Sequence, residues 1–293
     1  MLDQASVLRN IAYLSRGVSH SVPPSDQPVA IAITSGKGGV GKTNVVANLA
    51  VALANMRKRV TILDADFGLA NVDVLLGLAP KHNLRDFIFG GLELEDIIIE
   101  GPQGIRVIPA SCGTEAMADL TPEQQIRLIH AISSLGADTD YLLIDTAAGI
   151  SSNVINFLLA AGMVIVVTTP EPTAIVDAYL VIKILSRREP QKNVSVLVNS
   201  VSGADEAKSV FRQIDTASRR FLDKPLDLLG FIERDGNVLE AVRQQEPFAI
   251  RYPQSAATSC IKGIARKLEQ QCKSMKERQN VGLSWKEFFE ISE

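Results

Sequence analysis

Little in this chain is extreme, and each shortage narrows what it can do. Only three cysteines, Cys112, Cys260 and Cys272, are scattered through 293 residues, with no C-x-x-C pair. That argues against a disulfide framework and against a cysteine-held metal or iron–sulfur cluster, and it fits a reducing cytoplasm. The formal net charge is only −3. No global field therefore draws the chain to nucleic acid, and such a role would need a local patch. Arg187-Arg188 and Arg219-Arg220 are the candidates, but paired arginines are usually solvated helix ends, so a nucleic-acid partner is not expected. No apolar run is long enough to cross a bilayer, and Met1-Leu2-Asp3-Gln4 lacks the basic-then-apolar profile of a signal peptide. A hydrophobic content of 46% and a charged content of 22% suit a globular domain with a sizeable core.

What is present centres on Gly36-Lys37-Gly38-Gly39-Val40-Gly41-Lys42-Thr43. An apolar run, Val29 to Ile33, precedes it, and residues 44–53, spaced for a buried helix, follow. The order strand, glycine-rich turn, helix with G-x-x-x-x-G-K-[ST] describes a phosphate loop. Glycine lets the backbone N–H groups close on phosphate oxygens, and the helix N-terminus adds partial positive charge. Lys42 would reach the β- and γ-phosphates, and the Thr43 hydroxyl would coordinate Mg²⁺.

Along the chain, Ala5, Leu8, Ile11, Ala12 and Leu14 are spaced for a short amphipathic helix with Asp3 placed to cap it. Residues 17–28 are polar and proline-rich and read as a linker. From Val29, short apolar runs at 29–34, 59–64, 105–109, 140–145, 163–169, 194–199 and 226–232 alternate with helical stretches at 43–56, 70–77, 121–135, 151–160, 173–188, 205–222, 236–245 and 254–278. That rhythm predicts one α/β domain, a doubly wound and mainly parallel sheet with helices on both faces. Ligand groups then gather at the carboxyl ends of the strands. Asp64 and Asp66 end the second run, suited to holding Mg²⁺ or orienting an attacking water, or simply to capping a turn. Tyr141 to Asp145 resembles a Walker B strand.

These residues resemble the MinD/ParA family of P-loop ATPases. Lys37 inside the loop makes the deviant Walker A pattern K-G-G-x-G-K-[ST], and the resemblance runs from about Val29 to Leu268. It implies ATP and Mg²⁺ as ligands and an ATP-dependent homodimer, with Lys37 reaching the partner subunit's phosphates. By position it implies catalytic roles for Lys37, Lys42 and Asp66, and Mg²⁺ contacts for Thr43, Asp64 and Asp145. The ATP-binding set becomes Gly36, Gly38, Gly39, Val40, Gly41, Lys42, Thr43 and Asn44, with Asn199 and Asp235 at the base. Glu233 and Ala147 replace prolines usual in the family, which loosens both loops.

Asp66-Phe67-Gly68-Leu69-Ala70-Asn71-Val72-Asp73 resembles the MinD branch. Asp3-Gln4-Ala5 with Leu8-Arg9 resembles the D-Q-A-x-x-L-R element of the flagellar-number regulators FlhG/FleN, and Thr168 to Ala174 resembles their post-strand loop. The resemblance implies a switch ATPase for flagellar number or placement. Asp3, Gln4, Ala5, Leu8 and Arg9 would meet an FlhF-type GTPase, and further partners would be a flagellar transcription activator or switch-complex proteins. A septum-site MinD-type ATPase and a nucleotide-gated anti-activator with little hydrolysis are the alternatives. The implied layout is 1–16 partner helix, 17–28 linker, 29–278 ATPase domain and 279–293 amphipathic aromatic helix. In that last segment Trp285, Phe288 and Phe289 share a helical face that suits either a membrane surface or docking back onto the domain. The location implied is cytoplasmic, with peripheral attachment to the cell membrane as an option.

Overall fold

The computed structural model describes residues 28–110, part of 121–134, and 135–276. The N-terminal helix, almost all of the linker, Cys112 and residues 277–293 lie outside the described residues.

Strands β1 (Val29–Thr34), β2 (Val60–Ala65), β5 (Tyr141–Thr146) and β6 (Met163–Thr168) are buried at every position. Continuous apolar runs of this kind form strands covered on both faces, so they pair in parallel and are joined by crossing helices. With β3 (Ile99–Glu100), β4 (Arg106–Ile108), β7 (Val194–Val201) and β8 (Asp227–Glu233) they make one sheet in the order β3-β4-β2-β5-β1-β6-β7-β8. Every neighbouring pair is parallel except β3 with β4.

The period-2 alternation of β1 sends Val29, Ile31 and Ile33 to one core and Ala30 and Ala32 to the other. The first core also takes α1 (Lys42–Ala54). The chain continues through α2 (Val72–Leu75), α3 (Leu84–Gly90), α4 (Leu94–Ile97), α5 (Ser152–Ala160), α6 (Pro172–Arg188), α7 (Ala204–Leu222), α8 (Gly236–Arg243), α9 (Phe248–Arg251) and α10 (Ala256–Lys276). Helices α9 and α10 share the core of α1, and α5, α6 and α7 fill the other.

All seven expected strands are present, with 105–109 shortened to Arg106–Ile108. Two-residue β3 has no periodicity to read. The helix expected over 70–77 is a single turn, Val72–Leu75. Helix α3 went unread although its signals are local: Asn83 and Asp86 form a capping box, and Gly91 closes the other end at φ 78°. Of the helix expected over 121–135, the described residues between 124 and 132 are helical. Among the described residues no helix is long and apolar enough to cross a membrane.

Candidate functional site

Strand β1 sits between β5 and β6, and the chain leaves it toward β2 on one side but later builds outward through β6 on the other. Such a reversal opens a crevice at the carboxyl end of the central strand. Residues 36–41 occupy it. Gly39 and Gly41 take φ of 81° and 88°, backbone that an L side chain resists. Gly41 is also crowded: a Cβ there would lie 2.4 Å from Asn199 Nδ2. Gly36 packs against helix α6, where a Cβ would lie 2.3 Å from the Asp177 carbonyl carbon.

The structure brings together two of the expected carboxylates from two strands, with Asp66 just past the end of β2. Asp64 and Asp145 are register partners across β2 and β5, and both are buried. Lys42 Nζ donates to Asp145 Oδ1 at 2.6 Å, with the two side chains 8% and 2% exposed. Burial pushes the Asp145 carboxyl up, against the pull of Lys42 and the Thr43 hydroxyl. Burial, then the charge of Asp145, raises Asp64 to about 7. Two neighbouring buried carboxylates with one lysine leave a negative excess. This hard-oxygen set beside a phosphate loop fits Mg²⁺. Among the described residues no three His, Cys, Asp or Glu side chains cluster as a metal cage.

Asp64 has a further role. Its Oδ1 accepts from Asp66 N at 3.0 Å, and its Oδ2 from Asn71 N and Val72 N, each at 3.3 Å. It ties down the turn that carries Asp66. Half-buried Asp66 accepts from Leu69 N at 3.0 Å. From the neighbouring loop, Gly149 N–H donates to Ser35 O at 2.8 Å, joining the phosphate loop to the turn after β5.

Lys37 does not point into its own crevice. Its ammonium donates to Glu171 Oε1 at 2.5 Å and Thr173 Oγ1 at 3.1 Å, at the start of α6. The hydrogen bond from Lys37 holds the Glu171 carboxyl below the usual glutamate range. Glu171 and Thr173 belong to a loop legible in the sequence, but nothing local paired them with Lys37.

The base end is a cleft of about 320 Å³ lined by Asn44, Val45, Asn199, Ser200, the 232–235 turn, one face of α8 and Phe248. A register shift in β7 between Val198 and Val201 places Asn199 there. Its Nδ2 donates to Val40 O at 2.7 Å, and its Oδ1 accepts from Ser200 N. Asp235 lines the cleft, but its oxygens accept from Asn237 N and Ala257 N, anchoring the starts of α8 and α10. Asn48 was not foreseen. Fully buried, it donates to Asn44 O and accepts from Ala249 N, each at 2.8 Å, tying the cleft wall at Phe248 to the phosphate-loop helix.

The comparisons agree with this geometry. The CobQ/CobB/MinD/ParA nucleotide-binding domain model matches residues 31–248. The antiactivator FleN of Pseudomonas aeruginosa is 46% identical over 239 residues, 82% of this chain and 85% of that protein. The flagellum site-determining protein YlxH of Helicobacter pylori is 34% identical over 236 residues, 80% of each. The septum site-determining protein MinD of Pyrococcus horikoshii, complexed with Mg-ADP, has a TM-score of 0.70 at 26% identity, covering 84% of this chain and 98% of that one. With its phosphate loop, buried carboxylates and base cleft at one switch point, the chain belongs to the MinD/ParA family and is an ATPase that uses ATP and Mg²⁺.

Proposed function

We propose that this ATPase is a dimerising switch that sets flagellar number or placement. Residues 1–16 would act on an FlhF-type GTPase, and the nucleotide-bound dimer on a flagellar transcription activator or switch-complex protein. The observation that carries the dimer is the position of Lys37. A second cation in the loop serves catalysis only where it meets the transferred phosphoryl, and here it stands at the rim on Glu171 and Thr173. Exposed Leu69, Ile150, Val176 and Leu180 lie on the two loops after β2 and β5 and on α6, apolar surface that a second copy would cover. The flagellar output rests on the likeness to FleN and YlxH.

In mechanism, incoming phosphate draws Lys42 from Asp145 toward the β- and γ-oxygens, which frees the Asp145 carboxylate. Thr43 and Asp145, with Asp64 alongside, would hold Mg²⁺, which when bound neutralises charge on the phosphates. Asp66 orients the attacking water and Asp64 keeps its turn in place. The partner's copy of Lys37 stabilises the charge that develops on the transferred group. Residues 279–293 would give peripheral membrane attachment.

The test measures ATP turnover and elution position with ATP and with ADP, for the wild type, Lys37→Ala and Asp66→Ala. Asp66→Ala should elute as a dimer with ATP and turn over little, and Lys37→Ala should stay monomeric. A wild type and Asp66→Ala that are monomeric in every nucleotide would refute the reading. Deleting residues 1–16 should abolish stimulation of an FlhF-type GTPase and leave basal turnover intact.

A further inference from the structure

We propose that guanine nucleotides are a second class of substrate for this ATPase, and that Glu233 admits them by accepting hydrogen bonds from the guanine base. This goes beyond the switch reading and depends on neither the dimer nor the flagellar output.

Three polar side chains converge where β7 and β8 end. Val201 and Glu233 are register partners across the two strands, and the register shift after Val198 brings Asn199 and Ser200 to the cleft beside Glu233. Ser200 holds a φ of 59°, backbone that a residue other than glycine keeps only where its surroundings fix it. The neighbouring acids are committed to the fold. Asp235 anchors the starts of α8 and α10 through both carboxylate oxygens, and Glu206 accepts from Ser202 N and Ser202 Oγ at 2.6 and 2.9 Å. The half-buried Glu233 carboxylate has no hydrogen-bond or ion-pair partner among the described residues, and adjacent Arg234 is exposed and makes no ion pair with it. An uncommitted carboxylate in the wall of a cleft is an acceptor for a ligand's N–H or O–H groups.

The two purines differ along one edge. Guanine presents N1–H and its 2-amino group side by side, whereas adenine presents N1 as an acceptor next to a single 6-amino donor; both present N7. After its bonds to Val40 O and Ser200 N, Asn199 keeps one amide N–H and one oxygen lone pair, and the Ser200 hydroxyl can give or take a proton. Neither of them chooses between the bases. A carboxylate only accepts, so it takes two parallel charge-assisted bonds from guanine, while against adenine one of its oxygens meets the N1 lone pair. Size does not oppose the extra amino group. The cleft holds about 320 Å³, and Val45, Ile232, Val238 and Val242 line it; apolar walls reject a slightly larger isostere only weakly. The proline usual in the family at 233 has no side-chain acceptor, so the guanine-reading group is this chain's own.

The chemistry at the phosphates does not change with the base. Asn199 ties the cleft to the phosphate loop at Val40 O, so either base sets its phosphates on the same loop. Water adds to the γ-phosphorus, the bond to the bridging oxygen breaks, and GDP, inorganic phosphate and the proton lost by the water are the products.

The test is calorimetric titration of the full chain with Mg-ADP, Mg-GDP and Mg-xanthosine diphosphate, with ATP and GTP turnover read in parallel. The wild type should bind GDP within about tenfold of ADP and turn over GTP. Glu233→Gln should lose about tenfold in GDP affinity and keep its ADP affinity. It should also bind xanthosine diphosphate more tightly than the wild type does, because the glutamine amide donates to the 2-oxo group and accepts from N1–H. Glu233→Ala should lose GDP without that gain, and both variants should keep the wild-type thermal midpoint. The proposal fails if wild-type GDP affinity lies more than about tenfold below that for ADP, if GDP binds but GTP is not turned over, or if the glutamine variant keeps its GDP affinity. Equal loss of ADP and GDP in that variant would put Glu233 on the ribose hydroxyls the two share, and would overturn the proposal as well. None of these failures touches the switch reading, which stands on the dimer.

Discussion

Asp64 and Asp145 show how a single position can carry two demands. Each is buried beside the other, and Asp64 holds its proton up to about 7, against 3.8 ordinarily. Between those values the unfolded chain has released the proton that the folded chain keeps. Stability therefore falls as pH rises through the window and levels off above it. In a chelator, the thermal midpoint should drop from pH 5 to pH 7.5, and Asp64→Asn, which keeps one acceptor, should flatten the profile. Mg-ADP should flatten it too by favouring the ionised form. Lys37 makes a different demand. Its contact with Glu171 is solvent-exposed, so Lys37→Ala should barely change the thermal midpoint. Turnover should fall on the order of 10³-fold, as when a catalytic arginine finger is lost, while ATP binding persists.

At the scale of elements, the phosphate loop is a part held from three sides: by α6 at Gly36, by β7 through Asn199 and by α9 through Asn48. Gly36→Ala should therefore lift the loop off α6, costing about 1–3 kcal/mol in chemical denaturation and most ATP affinity. Gly38→Ala, with nothing within 4 Å of its Cβ, is the control and should cost little. Asn48→Ala strands the Ala249 N–H in the core, a loss of about 1–3 kcal/mol. ATP affinity should fall more than affinity for tripolyphosphate, because the wall it positions faces the base. The glycines were legible in the sequence, since a phosphate loop needs them at fixed offsets. Asn48 was not, because an asparagine inside a helical pattern carries no mark of the segment 201 residues away that it holds.

For the whole molecule, one end of the sheet carries the nucleotide and the other carries arginines and an exposed phenylalanine. Burial on both faces leaves the loops at the two poles free to diverge. The sequence by itself determined the α/β class, the seven longer strands and the chemistry of the loop and its carboxylates. Each of these is local: burial of apolar runs, backbone freedom of glycine, and oxygen ligands placed at strand ends. Only the tertiary structure decided the strand order, the pairing of Asp64 with Asp145 and the resting of Lys37 on Glu171, 134 residues away. It alone also brought the ends of α6 and α7 together, where Lys224 donates to Pro190 O and Lys192 O. Contacts at such separation follow from how crossovers stack helices on a sheet, and no local propensity encodes them.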